Sequence, residues 1–252
     1  MSQSLDTLLQ HSGLWRASDG VQQSQATLAT GFAELDAVLA GGGWPADGLT
    51  ELLHEQNGSG ELRLLMPALS ELSRSQARWI AWIAPPRLPC ATALALHGVA
   101  TERMLVVHCR DHRDQLWATE QALRSGTCSA VLSWPSPHHL KHTDLRRLQL
   151  AAREGESWGV VFRSMRTTAS QSSPAELRLL LETGPEPDPA RLQVQILKRR
   201  GGWPLEHLQI RCDDVVSRRI LGNGRMPHMG PRELPRREAS FQGHQHELQL
   251  QH

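Results

Sequence analysis

From Thr30 to about Val216, short apolar runs alternate with stretches of helical periodicity, and this alternation constrains the fold more than any other feature of the chain. The runs of strand length are Leu49–Leu53, Arg78–Ala84, Met104–His108, Ser129–Trp134, Trp158–Arg163, Leu177–Glu182, Leu192–Lys198 and Leu208–Arg211. Helical patterns fall at Ala33–Ala40, Leu62–Ser73, Ala91–His97, Asp111–Arg124 and Leu140–Arg153. Neighbouring parallel strands need a crossover, usually a helix, so strands alternating with helices predict an α/β domain. Several of the runs are apolar throughout, as strands covered on both faces are. The later ones change character: Leu192, Val194 and Ile196 alternate with Gln193 and Gln195, which predicts half-exposed antiparallel strands at the C-terminal end.

The flanks differ from this core, and three segments are expected. Residues 1–29 are polar apart from one short amphipathic piece, in which Leu5, Leu8 and Leu9 form an apolar stripe too short to hold a helix alone. Residues 30–216 form the core. Residues 217–252 are rich in Arg, Gln, His, Pro and Gly and poor in large apolar side chains, the composition of a segment disordered in isolation. The Leu stripe and the tail guanidiniums of Arg232, Arg236 and Arg237 are read as partner-binding elements.

Charge and cysteine usage exclude several classes. Twenty-seven Lys and Arg against 26 Asp and Glu leave a net charge of +1, which does not fit a protein that coats nucleic acid. The four cysteines lie far apart with no metal-ligand spacing, as in a reduced cytoplasmic protein. His138 and His142 stand at i and i+4 but lack a third ligand, so no metal site is expected. A polar N-terminus containing Asp6 argues against a signal peptide, and the longest apolar stretch, near Trp79–Pro86, is too short to cross a bilayer.

The segment Thr30–Leu62 carries the chemistry-bearing motif. A short helix leads through Gly41-Gly42-Gly43 into a strand, then a glycine-containing loop, then a helix. That order can hold phosphate oxygens on backbone N–H groups at the helix start. A working phosphate loop ends in Gly-Lys-Ser/Thr. Here the loop reads Asn57, Gly58, Ser59, Gly60, Glu61, Leu62, which places a carboxylate where the ammonium should stand. A strand that should end in a magnesium-holding acid ends Ser133-Trp134, and the position of the water-orienting Glu falls near Pro85-Pro86. The loop is therefore read as vestigial, with no nucleotide, metal or other cofactor.

Thr30-Gly31, Leu35-Asp36, Leu39, Gly41-Gly42-Gly43, Pro45, Gly48 and Glu51 together resemble the opening of the ATPase core of RecA, and the elements that follow keep that order to about Arg211. The resemblance implies a RecA-like P-loop NTPase core: a mostly parallel twisted sheet flanked by helices, with antiparallel strands at its C-terminal end. A RecA-like core without catalytic residues, in a chain of this length with an Arg-rich tail, resembles the ImuA family. Membership would imply a non-enzymatic accessory factor of SOS-induced error-prone translesion DNA synthesis. Its partners would be an ImuB-like inactive Y-family polymerase, RecA and an error-prone C-family polymerase, with weak or indirect DNA binding and homo-oligomers. Lys198, Arg199 and Arg200, at a hairpin tip, are the core's candidate partner contacts. The alternative is a SulA-type cell division inhibitor that binds FtsZ. A third reading, an ATP-dependent recombinase paralogue, is disfavoured by Glu61, Trp134 and Pro86.

Overall fold

Two strands without a single exposed residue lie inside the sheet. Leu49–His54 (β3) and Cys128–Ser133 (β6) are buried along their whole length, because helices cover both faces of the sheet there. The computed structural model describes residues 26–55, 60–136, 139–165, 172–183 and 191–212. The remaining strands are Thr27–Leu28 (β1), Trp44–Pro45 (β2), Trp79–Ile83 (β4), Met104–Val107 (β5), Trp158–Ser164 (β7), Leu177–Thr183 (β8), Arg191–Lys198 (β9) and Leu205–Arg211 (β10). The helices are Ala33–Asp36 (α1), Glu61–Ser75 (α2), Ala91–Leu96 (α3), His112–Arg124 (α4) and His142–Glu154 (α5). β1 and β2 pair as a small antiparallel ribbon that the hydrophobic pattern does not announce.

The main sheet runs β10-β9-β8-β3-β7-β6-β4-β5 and is mixed. The strands from β8 to β5 in this order are parallel, while β9 and β10 are added antiparallel. The alternation read in Leu192–Lys198 is realised, with Leu192, Val194 and Ile196 buried between more exposed neighbours.

Two cores result, one on each face. Leu64, Leu65 and Leu69 of α2 and Leu94 of α3 pack on Leu52, Ile80, Trp82, Leu132 and Phe162. On the other face Leu123 of α4 and Leu145, Leu148 and Ala152 of α5 pack on Ala81, Ile83, Val131 and Val161. Leu150, on the outer side of α5, is 55% exposed. Asp111 caps α4 by accepting from the Asp114 N–H at 2.8 Å. Asp144 accepts from the Lys141 N–H at 3.0 Å at the start of α5. Gly31, with φ +84°, lets the chain pass α2 where a Cβ would lie 2.4 Å from Pro67 Cβ.

Candidate functional site

Ligands of open parallel sheets collect beyond the carboxyl ends of the strands, where the following helices leave for opposite faces. Here α3, which follows β4, packs on one face, while α5, which follows β6, packs on the other. β4 and β6 are neighbours, so a crevice opens between their ends. Its cavity is about 530 Å³, a size that suits a small ligand or an anchoring side chain. The floor is an aromatic stack. Trp134, just beyond β6, lies 4.3 Å from Phe162 with the rings 1° from parallel, and 5.7 Å from Trp82 at 15°. His54, at the end of β3, tilts against Phe162 at 6.5 Å.

One wall is the first turn of α2, with Glu61, Leu62, Arg63 and Met66; the other is the Pro85–Cys90 loop with Ala93, Leu94 and His97. Ala84 begins that loop at φ +48°, a conformation costly for a residue with a Cβ. The turn throws Pro86, Arg87 and Leu88 outward, and Leu88 is 71% exposed at the rim. Trp82 is buried, and its indole N–H finds no acceptor among the described residues. The crevice is thus mostly apolar, edged by guanidiniums, with one idle donor in its floor.

A second cluster lies on the sheet nearby. Glu51, fully buried on β3, receives Arg163 Nη1 at 3.2 Å and faces Arg178 Nε at 3.3 Å, while the Ser173 hydroxyl donates to its other oxygen. Register explains the meeting, since Glu51 pairs with Arg178 on β8, and Leu53, two residues on, pairs with Arg163 on β7. Burial lowers the Arg178 guanidinium from its ordinary pKa, and the Glu51 carboxylate opposes that shift. Lys198 is lowered in the same way, by burial first and against the pull of Glu51 and Glu176.

The sequence-predicted residues have different fates. Gly60 is the left-handed cap of α2, and Glu61, the first helical residue, is a buried carboxylate lining the crevice. Asn57, Gly58, Ser59, Leu5, Leu8, Leu9, Arg232, Arg236 and Arg237 lie outside the described residues. Arg199 braces the β9–β10 hairpin, donating from Nε to Trp203 O at 2.9 Å and from Nη1 to Val38 O. Lys198 donates to Ser173 O at 2.7 Å, and Arg200 is exposed at the tip. Among the described residues no group of three or more His, Cys, Asp or Glu is placed to hold a metal. The crevice itself escaped the sequence reading. Its signal was there in Trp82 and Trp134, large aromatics at the ends of two predicted strands.

Cys90 lines the crevice and is exposed, whereas Cys128 and Cys212 are buried. The Cys109 thiol is pushed up by burial and by Asp114 and Asp111. Native alkylation should therefore modify Cys90 first and leave Cys128 and Cys212 untouched until denaturant is added. Peptide mass mapping checks this, and early labelling of Cys128 would contradict the packing described.

A family model described as "Cell division inhibitor SulA" matches residues 48–159, the stretch from β3 into β7 that holds both walls of the crevice. The cell division inhibitor SulA of Edwardsiella piscicida is 31% identical over 115 residues, 46% of this chain and 67% of its own length. That of Yersinia pestis (strain Pestoides F) is 30% identical over 120 residues, 48% of this chain and 70% of its own. The crystal structure of SulA from Pseudomonas aeruginosa matches with 34% identity and a TM-score of 0.39, covering 48% of this chain and 99% of that one.

These matches correct the reading from sequence. ImuA membership does not stand, nor does the role in translesion synthesis, nor the ImuB-like, RecA and C-family polymerase partners with their DNA binding, because the likeness is to division inhibitors. The RecA-like P-loop NTPase assignment gives way to the SulA family, and the fold is an eight-stranded mixed sheet with few helices. The physical reason is that strand, glycine loop and helix in that order describe many parallel βα units, so the motif without its Lys carries little identity. The relatives are named as inhibitors and not as enzymes, which agrees with the chain being no enzyme; nothing supports a degenerate ATPase.

Proposed function

The chain belongs to the SulA family of cell division inhibitors, and from that premise we propose that it blocks division by binding FtsZ through the crevice between β4 and β6. The observation that carries the proposal is the crevice itself. It is a cavity of about 530 Å³ within the family-matched segment, and its rim raises Leu88 and Arg87 into solvent. Protein hot spots are enriched in Trp and Arg, and the crevice sets Trp82 and Trp134 beside Arg63 and Arg87. Such a surface suits a partner that offers an apolar side chain flanked by carboxylates. No described helix is long and apolar enough to cross a membrane, and we place the protein in the cytoplasm with its target.

The test is GTP-driven FtsZ assembly, followed by light scattering and pelleting. The wild-type chain should suppress assembly near equimolar ratio. The double variant Arg87→Glu, Leu88→Asp, both exposed and so harmless to folding, should need roughly tenfold or more protein for the same effect. Undiminished inhibition by that variant would move the docking site elsewhere. A wild-type chain that neither binds nor inhibits FtsZ would end the division-inhibitor reading for this chain.

A further inference from the structure

Among the described residues the crevice stays open. Leu88 stands exposed on its rim, and the buried Trp82 indole N–H has no acceptor. An apolar cavity of about 530 Å³ with an idle donor in its floor suits an apolar segment that carries backbone carbonyls. The walls differ in charge. Arg87, on the Pro85–Cys90 wall, is exposed and forms no ion pair with a described residue. Glu61 is buried on the opposite, α2 wall. A fitting occupant therefore brings leucine-like side chains to the floor and a carboxylate to the Arg87 side.

The stretches before Ala26 and after Cys212 lie outside the described residues. The second gathers Arg232, Arg236 and Arg237 around Leu234, which would set guanidiniums against Arg87. The first has the matching pattern. Leu5, Leu8 and Leu9 fall at i, i+3 and i+4, the spacing of one helical face laid into a groove. Asp6 is one position on from Leu5, about 100° round such a helix, so its carboxylate would border that face. Reach agrees as well. Gly31 packs against Pro67, which is six residues along α2 from Glu61, or about 9 Å of helix. Ala26 stands at most about 17 Å of extended chain before Gly31. Allowing about 12 Å for the width of α2, Ala26 lies within about 40 Å of the crevice wall. From Leu9 to Ala26 the chain can extend about 56 Å.

We propose that Leu5, Leu8 and Leu9 of the chain's own N-terminal segment seat in this crevice, with Asp6 on Arg87, and hold it closed to other partners. The seat does not depend on the target. Its consequence, competition with FtsZ, rests on the crevice being the FtsZ site. Three leucines and one ion pair bind weakly on their own, but the tether changes the balance. A linkage of this length supplies an effective concentration of about a millimolar. A contact with a Kd of about 200 µM is then made about five times in six. The crevice is open for the remaining sixth, so a target meets an affinity lowered about sixfold. Such a latch resists weak partners and yields to a tight one.

Cys90 lines the crevice, so its alkylation by iodoacetamide reads the open fraction in the full chain. The variant Leu5→Asp, Leu8→Asp, Leu9→Asp should react about sixfold faster at Cys90, with circular dichroism melting showing an intact core. The gain should be equal at low and high protein concentration, because the segment belongs to the same chain. No gain overturns the proposal. A protection that grows with concentration overturns it too, since a second copy would then supply the segment. Asp6→Arg and Arg87→Glu should each lose most of the protection, and the two together should restore it. Each background is compared with its own form carrying the three leucine changes, which removes any direct effect of charge on the thiol. Loss without restoration overturns the pairing of Asp6 with Arg87. The leucine variant should also bind FtsZ more tightly than wild type, by the factor seen in alkylation. Equal FtsZ affinity, with the alkylation gain intact, leaves the seat standing and removes the crevice as the FtsZ site.

Discussion

Replacing Glu51 with Leu should cost about 3–5 kcal/mol of stability, the range for taking one partner from a buried ion cluster. At roughly 2–4 °C per kcal/mol for a domain of this size, the melting temperature should fall by about 6–20 °C. The carboxylate is fully buried and serves three groups: Arg163, Arg178 and the Ser173 hydroxyl. Loss of the carboxylate takes the shared counter-charge from two guanidiniums whose side chains are 2% and 7% exposed. Water cannot reach them without opening the sheet between β3, β7 and β8. The converse change separates charge from shape. Glu51→Leu combined with Arg163→Met and Arg178→Met removes the carboxylate and both guanidiniums at similar volume. Such replacements of buried ion clusters are often neutral or stabilising, so the triple variant should regain most of the loss. Thermal unfolding of the two variants decides the matter. A single variant that loses less than about 1 kcal/mol would mean that the cluster is solvated or dispensable.

That cluster also shows what the sequence could and could not reveal. Glu51, Arg163 and Arg178 each stand within a run of apolar residues predicted as a strand, and a charge in a buried strand implies a partner. Which partner depends on sheet order. Nothing local says that β3 lies between β7 and β8 when at least three strands and more than a hundred residues separate it from either in sequence. The strands and helices themselves were legible because periodicity is local. All eight strands of the main sheet lie where the apolar runs place them, within a few residues. The family was misread for a related reason. Gly41 to Glu61 reads first by what it lacks against a phosphate loop, while the side chains that line the crevice come from beyond three strands, β3, β4 and β6. Arg199 misled in another way. Beside Lys198 and Arg200 it reads as a partner contact, yet it spends its guanidinium on two backbone carbonyls of its own fold.

Trp134→Ala should remove the crevice floor and cost about 3 kcal/mol, toward the lower end for a tryptophan truncation because the ring is only half-buried. The residue sits between Phe162 and Trp82, so its loss breaks both stacks at once. Offset aromatic pairs contribute roughly 0.5–1.5 kcal/mol each beyond burial. The deeper consequence is for shape. Without the indole the cavity extends down to Phe162, and an anchor seated against Trp134 would lose its contact surface. Trp134→Phe keeps one ring in the stack and should retain most of the stability. Binding to FtsZ, measured well below both melting temperatures, then distinguishes two roles. If the floor shapes the docking site, Trp134→Ala binds roughly tenfold or more weakly while Trp134→Phe stays close to wild type. Should Trp134→Ala bind as wild type does despite its lower melting temperature, the stack is a structural seal at the strand ends, and the partner rests on the Arg87 and Leu88 rim alone.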